Sequence, residues 1–148
     1  MLKIGYIPPK KIKAERADKS DHAVRTKQGY KFLQIKGLST TKCDFSQTNP
    51  ILIVETMLTR GRVNDHPTQS RLYYITDFDY LVIGIDPPIT SICHKCCGFT
   101  PAFEWEFYTI PTSELQKHKK IPHRLNALQK FTYMEIQQYK MNDNTFKR

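Results

Sequence analysis

The sequence predicts an α/β domain built on a central mixed β-sheet flanked by helices, and three segments carry that prediction. Residues 21–36 read as a β-hairpin, Asp79-Tyr-Leu-Val-Ile-Gly-Ile85 is an apolar run stopped by Asp86-Pro87-Pro88, and Phe103-Glu-Trp-Glu-Phe-Tyr-Thr-Ile110 alternates before Pro111. At 148 residues the chain has the length of a single domain, able to bury roughly two thirds of its unfolded surface without help from disulfides or metal.

Taken in order, residues 1–20 are basic and contain Pro8-Pro9, which reads as an arm with at most a short helix near Lys10–Ala17. The hairpin follows. With Lys27 and Gln28 as a two-residue turn, cross-strand partners sum to 55, which sets Asp21 opposite Gln34. Gln34 and Lys36 then share one face and Leu33 and Ile35 the other, so polar groups are expected on a wet side and a hydrophobic wedge beneath. Lys36 becomes a diagonal neighbour of Asp21, roughly 7–8 Å away at Cα.

Residues 37–46 are a polar connection, and Pro50 precedes Ile51-Leu-Ile-Val-Glu-Thr-Met57, a buried strand with a short helix as its rival. A loop over residues 59–68 carries Arg60 and Arg62, two candidate phosphate contacts, with Ser39 and Thr40 as two more. Residues 79–85 are apolar on both faces and belong at the centre of the sheet, with 103–110 as the next strand. Thr112-Ser-Glu-Leu115 resembles a helix N-terminus with a hydroxyl cap. The basic tail 116–148 reads as helical, chiefly over Arg124–Phe131. No repeat or domain linker interrupts the chain.

A net charge of +9 and a pI near 9.4 point to a polyanionic partner, and the excess sits at the ends. Residues 1–36 carry ten Lys or Arg against three Asp or Glu, residues 37–114 five against nine, and residues 115–148 eight against two. Solvated basic tails are the plainer reading of the same numbers. No apolar run approaches the roughly 20 residues that span a bilayer, and the N-terminus lacks a secretory core, so a cytoplasmic location without a membrane partner is expected. Without export, Cys43, Cys93, Cys96 and Cys97 are expected as thiols rather than disulfides. Cys93 and Cys96 have zinc-knuckle spacing, but the only orderly second pair, His118 and His123, lies more than twenty residues on, so a hairpin-loop thiol cluster is expected ahead of a structural zinc.

These pieces, in this order, resemble the PD-(D/E)xK nuclease superfamily, the fold of many restriction endonucleases and archaeal Holliday-junction resolvases. Asp21 matches the motif's strand aspartate, and Gln34-Ile35-Lys36 its acid-x-Lys, with Gln in the acid position. Phe78–Ile85 and Trp105–Leu115 look like the superfamily's downstream pattern, an apolar strand opening on Asp-Tyr and an aromatic strand ending in Ile-Pro. The resemblance covers roughly residues 18–116. It implies a restriction-endonuclease-like fold and a Mg²⁺- or Mn²⁺-dependent DNA endonuclease, and by analogy a symmetric homodimer. It assigns the metal to Asp21, the Gln34 oxygen and the Ile35 carbonyl, and work on the attacking water to Lys36. Three departures stand out: Ser20 in place of proline, Gln34 in place of a carboxylate, and an N-terminal helix missing or reduced, leaving Glu15 and Asp18 as the only upstream acids. The competing classes are a catalytically degenerate nucleic-acid-binding domain, a small zinc module around Cys93 and Cys96, and an interaction subunit whose arm engages an acidic partner.

Overall fold

The turn Thr26-Lys27-Gln28-Gly29 organises the first half of the molecule. Thr26 Oγ1 donates to the Gly29 carbonyl at 2.8 Å and accepts from Gln28 N at 3.2 Å, while Gly29 takes φ +100°, a region strained for any residue with a Cβ. In this computed structural model, which describes residues 6–7, 22–57, 72–142 and 145, strand β2 (His22–Thr26) pairs antiparallel with β3 (Gly29–Gly37). β1 (Tyr6–Ile7) pairs with β2. The β2–β3 partners run from Thr26↔Gly29 to His22↔Leu33, the register whose numbers sum to 55. Asp21, the next residue, lies outside the described residues, as do the arm at 8–20 and the loop at 58–71.

On its other side β3 pairs in parallel with β5 (Tyr80–Ile85), and β5 pairs antiparallel with β6 (Glu106–Pro111). The sheet is therefore mixed, in the order β1-β2-β3-β5-β6. The run over residues 79–85 is interior as its composition predicts, with Leu81, Val82, Ile83 and Ile85 all buried. Asp79 fastens the start of β5 to both neighbours. Its carboxylate accepts from Phe32 N at 2.8 Å, its N–H donates to the Phe32 carbonyl, and its carbonyl accepts from Thr112 N.

The crossover from β3 to β5 contains β4 (Ile51–Glu55), which is a strand, not the rival helix, and pairs with β7 (Leu128–Thr132) in a separate two-stranded sheet. The expected helix over Arg124–Phe131 is thereby corrected. Gln129 and Phe131 are buried and Lys130 exposed, a two-residue period, because pairing with β4 outweighs the weak helical propensity of the segment.

Three further corrections concern helices. The cysteine segment is not a hairpin loop but α1 (Pro87–Cys97), started by Asp86 Oδ1 accepting from Ile89 N at 3.1 Å, with proline in the first turn, and ended by Gly98 at φ 70°. At Thr112 there is only a single 3-10 turn, Thr112–Glu114. The threonine hydroxyl donates to the Phe78 carbonyl instead of capping. The C-terminal third contributes the one-turn α2 (Tyr133–Ile136), held by a Thr132/Glu135 capping box, and the 3-10 turn Gln137–Tyr139, not the long helices expected there. Among the described residues no helix is long and apolar enough to cross a membrane.

The main core joins both sheets: Phe32, Leu81 and Tyr108 of the large sheet pack with Leu52 and Phe131 of the small one, and Cys93 of α1. Since Gly29 alone supplies the positive φ of the turn, Gly29→Ala is expected to destabilise the protein by about 1–2 kcal/mol. Gly37→Ala, at an open site without a positive φ, is expected to change it by much less. Urea unfolding of both variants checks this.

Candidate functional site

Strand parity decides where the motif residues go. Phe32, Gln34 and Lys36 share a face of β3, and that face carries the main core, because the β4–β7 sheet and α1 pack on it. The expected wet side and hydrophobic wedge are thus reversed. Gln34 is only 3% exposed, Leu33 joins Val24 and Val82 in a small cluster on the opposite face, and Ile35 is 37% exposed there. Lys36, nearest the end of the strand, is half-buried. Its Nζ donates to the Met57 carbonyl at 3.4 Å and lies 5.8 Å from the centre of the Tyr73 ring.

Met57, whose carbonyl receives the Lys36 head, forms an antiparallel bridge with Leu72. Arg60 and Arg62 belong to the segment 58–71 and lie outside the described residues. Ser39 is spent on structure: its N–H donates to the Ile53 carbonyl at 2.8 Å, and its carbonyl accepts from Lys42 N and Cys43 N. Thr40 is exposed. It lines a cleft of about 380 Å³ with Lys36, Asp86, Trp105 and Phe107, at the carboxyl ends of the parallel strands β3 and β5, where open α/β sheets bind their ligands. Trp105 stacks on Phe107 at 5.8 Å and 8°, and is 58% exposed.

Of the predicted set, then, Gln34, Ile35, Lys36 and Thr40 lie along one strand end. The four cysteines are free thiols, with Cys93 buried and its pKa pushed by burial to about 12. Cys96 Sγ donates to the Phe45 carbonyl at 3.3 Å. Among the described residues no three His, Cys, Asp or Glu side chains gather as a metal group.

A second titratable cluster escaped sequence reasoning. Glu106, 2% exposed, points from β6 into the core. Its Oε1 accepts from the hydroxyls of Tyr108 and Tyr133, both at 2.6 Å, and its Oε2 from His94 at 3.0 Å and Lys140 at 3.3 Å. Gln137 Nε2 closes the network on the Tyr108 hydroxyl at 2.9 Å. Burial alone would raise the pKa of Glu106, but the bonds from Tyr108, Tyr133 and His94 and the charge of Lys140 outweigh it and hold the pKa below its ordinary value. Burial, then the bond to Glu106, drives both phenols far upward, so they stay protonated and donate. His94 bonds the Thr100 carbonyl through Nδ1 at 2.9 Å. That bond and then Glu106, against desolvation, raise its pKa and favour the imidazolium. With carboxylate and phenols sealed from solvent, the cluster is an internal lock between α1, β6, α2 and the C-terminal segment, not a substrate site.

No protein-family model, curated protein or solved structure matches this chain.

The lock has a defined pH signature. Glu106 contributes stability that is present above its ordinary 4.5 and lost as the pH falls through its lowered value. His94 contributes stability that is complete below its ordinary 6.5 and lost as the pH rises through its raised value. The Glu106→Gln variant is expected to lose about 3 kcal/mol or more, since it strips the buried partner from His94 and Lys140, and to flatten both limbs. Urea unfolding across acid to mildly alkaline pH checks it; a profile matching the wild type would remove the lock.

Proposed function

We propose that the chain is a metal-dependent DNA endonuclease, hydrolysing phosphodiester bonds with a restriction-endonuclease-like arrangement. The observation that carries this reading is the hairpin register. It runs to His22↔Leu33, the alignment in which the sequence pairs Asp21 with Gln34, and Lys36 shares a face of β3 with Gln34. The interior position of β3, between an antiparallel and a parallel neighbour, also fits the resemblance.

Gln34 and the Ile35 carbonyl would contribute only neutral oxygens to the proposed set, so its charge would rest on the carboxylate of Asp21. Held by Asp21, Gln34 and the Ile35 carbonyl, Mg²⁺ or Mn²⁺ would polarise a phosphate oxygen and acidify a bound water. Lys36 orients the attacking water and offsets the charge that grows on the phosphate. Its fixed environment, between the Met57 carbonyl and the Tyr73 ring, suits a preorganised electrostatic role. Arg60 and Arg62 follow Met57 closely in sequence and are the proposed phosphate contacts from that side, with Thr40 at the cleft. Ser39, its backbone already engaged, is the weakest member of the set.

One observation favours a second reading, a DNA-binding domain that does not cut: Gln34 is a buried neutral amide where a catalytic carboxylate would add charge. Plasmid and branched-DNA cleavage assays under each metal separate the two. Asp21→Ala is expected to abolish cleavage, and Lys36→Ala to abolish turnover while sparing DNA affinity, because its work is done in the transition state. Gln34→Glu is expected to bind Mn²⁺ more tightly and to melt lower in chelator than in Mn²⁺, since a buried carboxylate then depends on the cation. Binding without cleavage under any metal leaves the second reading; cleavage that survives both alanine variants puts the active site elsewhere.

A further inference from the structure

The segment 116–130 holds five Lys or Arg and two His with no Asp or Glu, and it is built, not loose. Lys117 and Leu125 form an antiparallel bridge, His118 N donates to the Arg124 carbonyl, and Asn126 N to the Gln116 carbonyl, so the strap closes on itself. Its tip carries His123 at φ 62°, a conformation uncommon for a residue with a side chain. Arg124 is pinned to the body, stacked 3.6 Å from the Tyr74 ring centre with Nη1 on the Leu72 carbonyl at 2.5 Å. His118 Nδ1 accepts from Lys120 N and Ile121 N at 3.1 and 3.0 Å, which assigns the ring proton to Nε2 and leaves that N–H as a donor.

Between this strap and β7 lies a cleft of about 740 Å³ whose lining is apolar at Leu72, Ile121, Ala127 and Leu128 and carries the polar groups of His118, Lys120 and Lys130. Lys120 and Lys130 are exposed. The cleft and the Lys36 site share one support. Leu72 bridges Met57, whose carbonyl receives Lys36, and the preceding Thr56 donates through its N–H to the Ala127 carbonyl at 2.7 Å.

We infer that the strap is a nucleic-acid groove in which Lys120, Lys130 and the His118 Nε2–H grip the sugar–phosphate backbone of the DNA whose scissile bond is presented at Lys36. This rests on the nucleic-acid reading above and assigns it a binding surface. A row of cations without an intervening acid matches a polyanion. A cleft between strap and strand suits a ribbon of phosphates and sugars better than a flat anionic bilayer. Closure of the strap sets these donors before the ligand arrives, which limits the ordering entropy lost on binding.

The test is affinity for a short labelled duplex in chelator, where no cleavage intervenes, as a function of salt. Lys120→Ala with Lys130→Ala is expected to weaken binding roughly tenfold and to lower the log–log salt slope by about two, one unit for each phosphate no longer neutralised. Lys120→Arg with Lys130→Arg is expected to restore both. Lys27→Ala with Lys95→Ala, two exposed lysines on the hairpin tip and α1, is the control and is expected to leave the slope nearly unchanged. Equal effects of strap and control variants, binding to phosphatidylserine vesicles but not to the duplex, or no duplex binding at low salt would each overturn the inference. Strap-dependent binding without cleavage would support the groove and end the endonuclease reading; cleavage by wild type and the Lys120→Ala/Lys130→Ala variant alike would do the reverse.

Discussion

The double engagement of β3 is the constraint on which the rest of the molecule depends. One edge of this strand is held by the tight turn at Gly29 and the other by the parallel ladder to β5, so neither register nor facing can slip. A shift of one residue would exchange Phe32, Gln34 and Lys36 for Leu33 and Ile35 on the core face. Asp79 reinforces the alignment with two bonds to the backbone of Phe32. The consequence is that an amide and an ammonium occupy the face on which the second sheet packs. Such groups are tolerable in a core only when their bonds are supplied, and Met57 and Tyr73 supply them for Lys36. Because the strand cannot move, those side chains cannot either, and a site built on them is rigid.

At the opposite edge of the sheet the Glu106 cluster performs a comparable service for the C-terminal segment. An isolated carboxylate in this position would be prohibitive, but two phenols, an imidazolium and an ammonium converge on it. The partners come from α1, β6 itself, α2 and the stretch after it, so one carboxylate ties four segments together. Tyr108 also bridges Lys140 through the backbone, so chemistry and geometry tie the same two segments.

The hairpin, the central strand and β6 were legible because each depends on local signals: a two-residue turn, an unbroken apolar run, a proline stop. The start of α1 was also legible in principle, since Asp86 followed by two prolines is a capping residue and a proper first turn, but the same residues read equally well as the end of β5. β7 was not legible. Its segment scans as a weak helix, and only the open edge of β4, more than seventy residues earlier, makes it a strand. The burial of Glu106 left no trace either, because an alternating Glu and aromatic pattern suggests the aromatics face inward, whereas Trp105 faces out and Glu106 in. Its His, Tyr and Lys partners are scattered along the chain and converge only in the fold. For the motif, the hairpin register as far as His22↔Leu33 followed from arithmetic, but which face was wet did not, since that depends on where the second sheet lands.

That facing gives a physical reason for glutamine at position 34. A glutamate on the core face, 3% exposed, would carry its charge into the interior whenever no cation neutralised it, and would either shift its pKa upward or open the site. An amide keeps an oxygen in the same place without that penalty, so the core can stay closed around an empty site. At the proposed metal site the loss would be in attraction for the cation, which would rest on a single carboxylate, with one anionic neighbour fewer for Lys36 in the motif. With less negative charge at the centre, a phosphate is repelled less on approach, and the surrounding cations act on it more fully. In the proposed endonuclease, a weak metal site inside a positively charged frame would be self-consistent: the frame would bring the polyanion, and the polyanion's own phosphate oxygens would complete the shell that the protein leaves short.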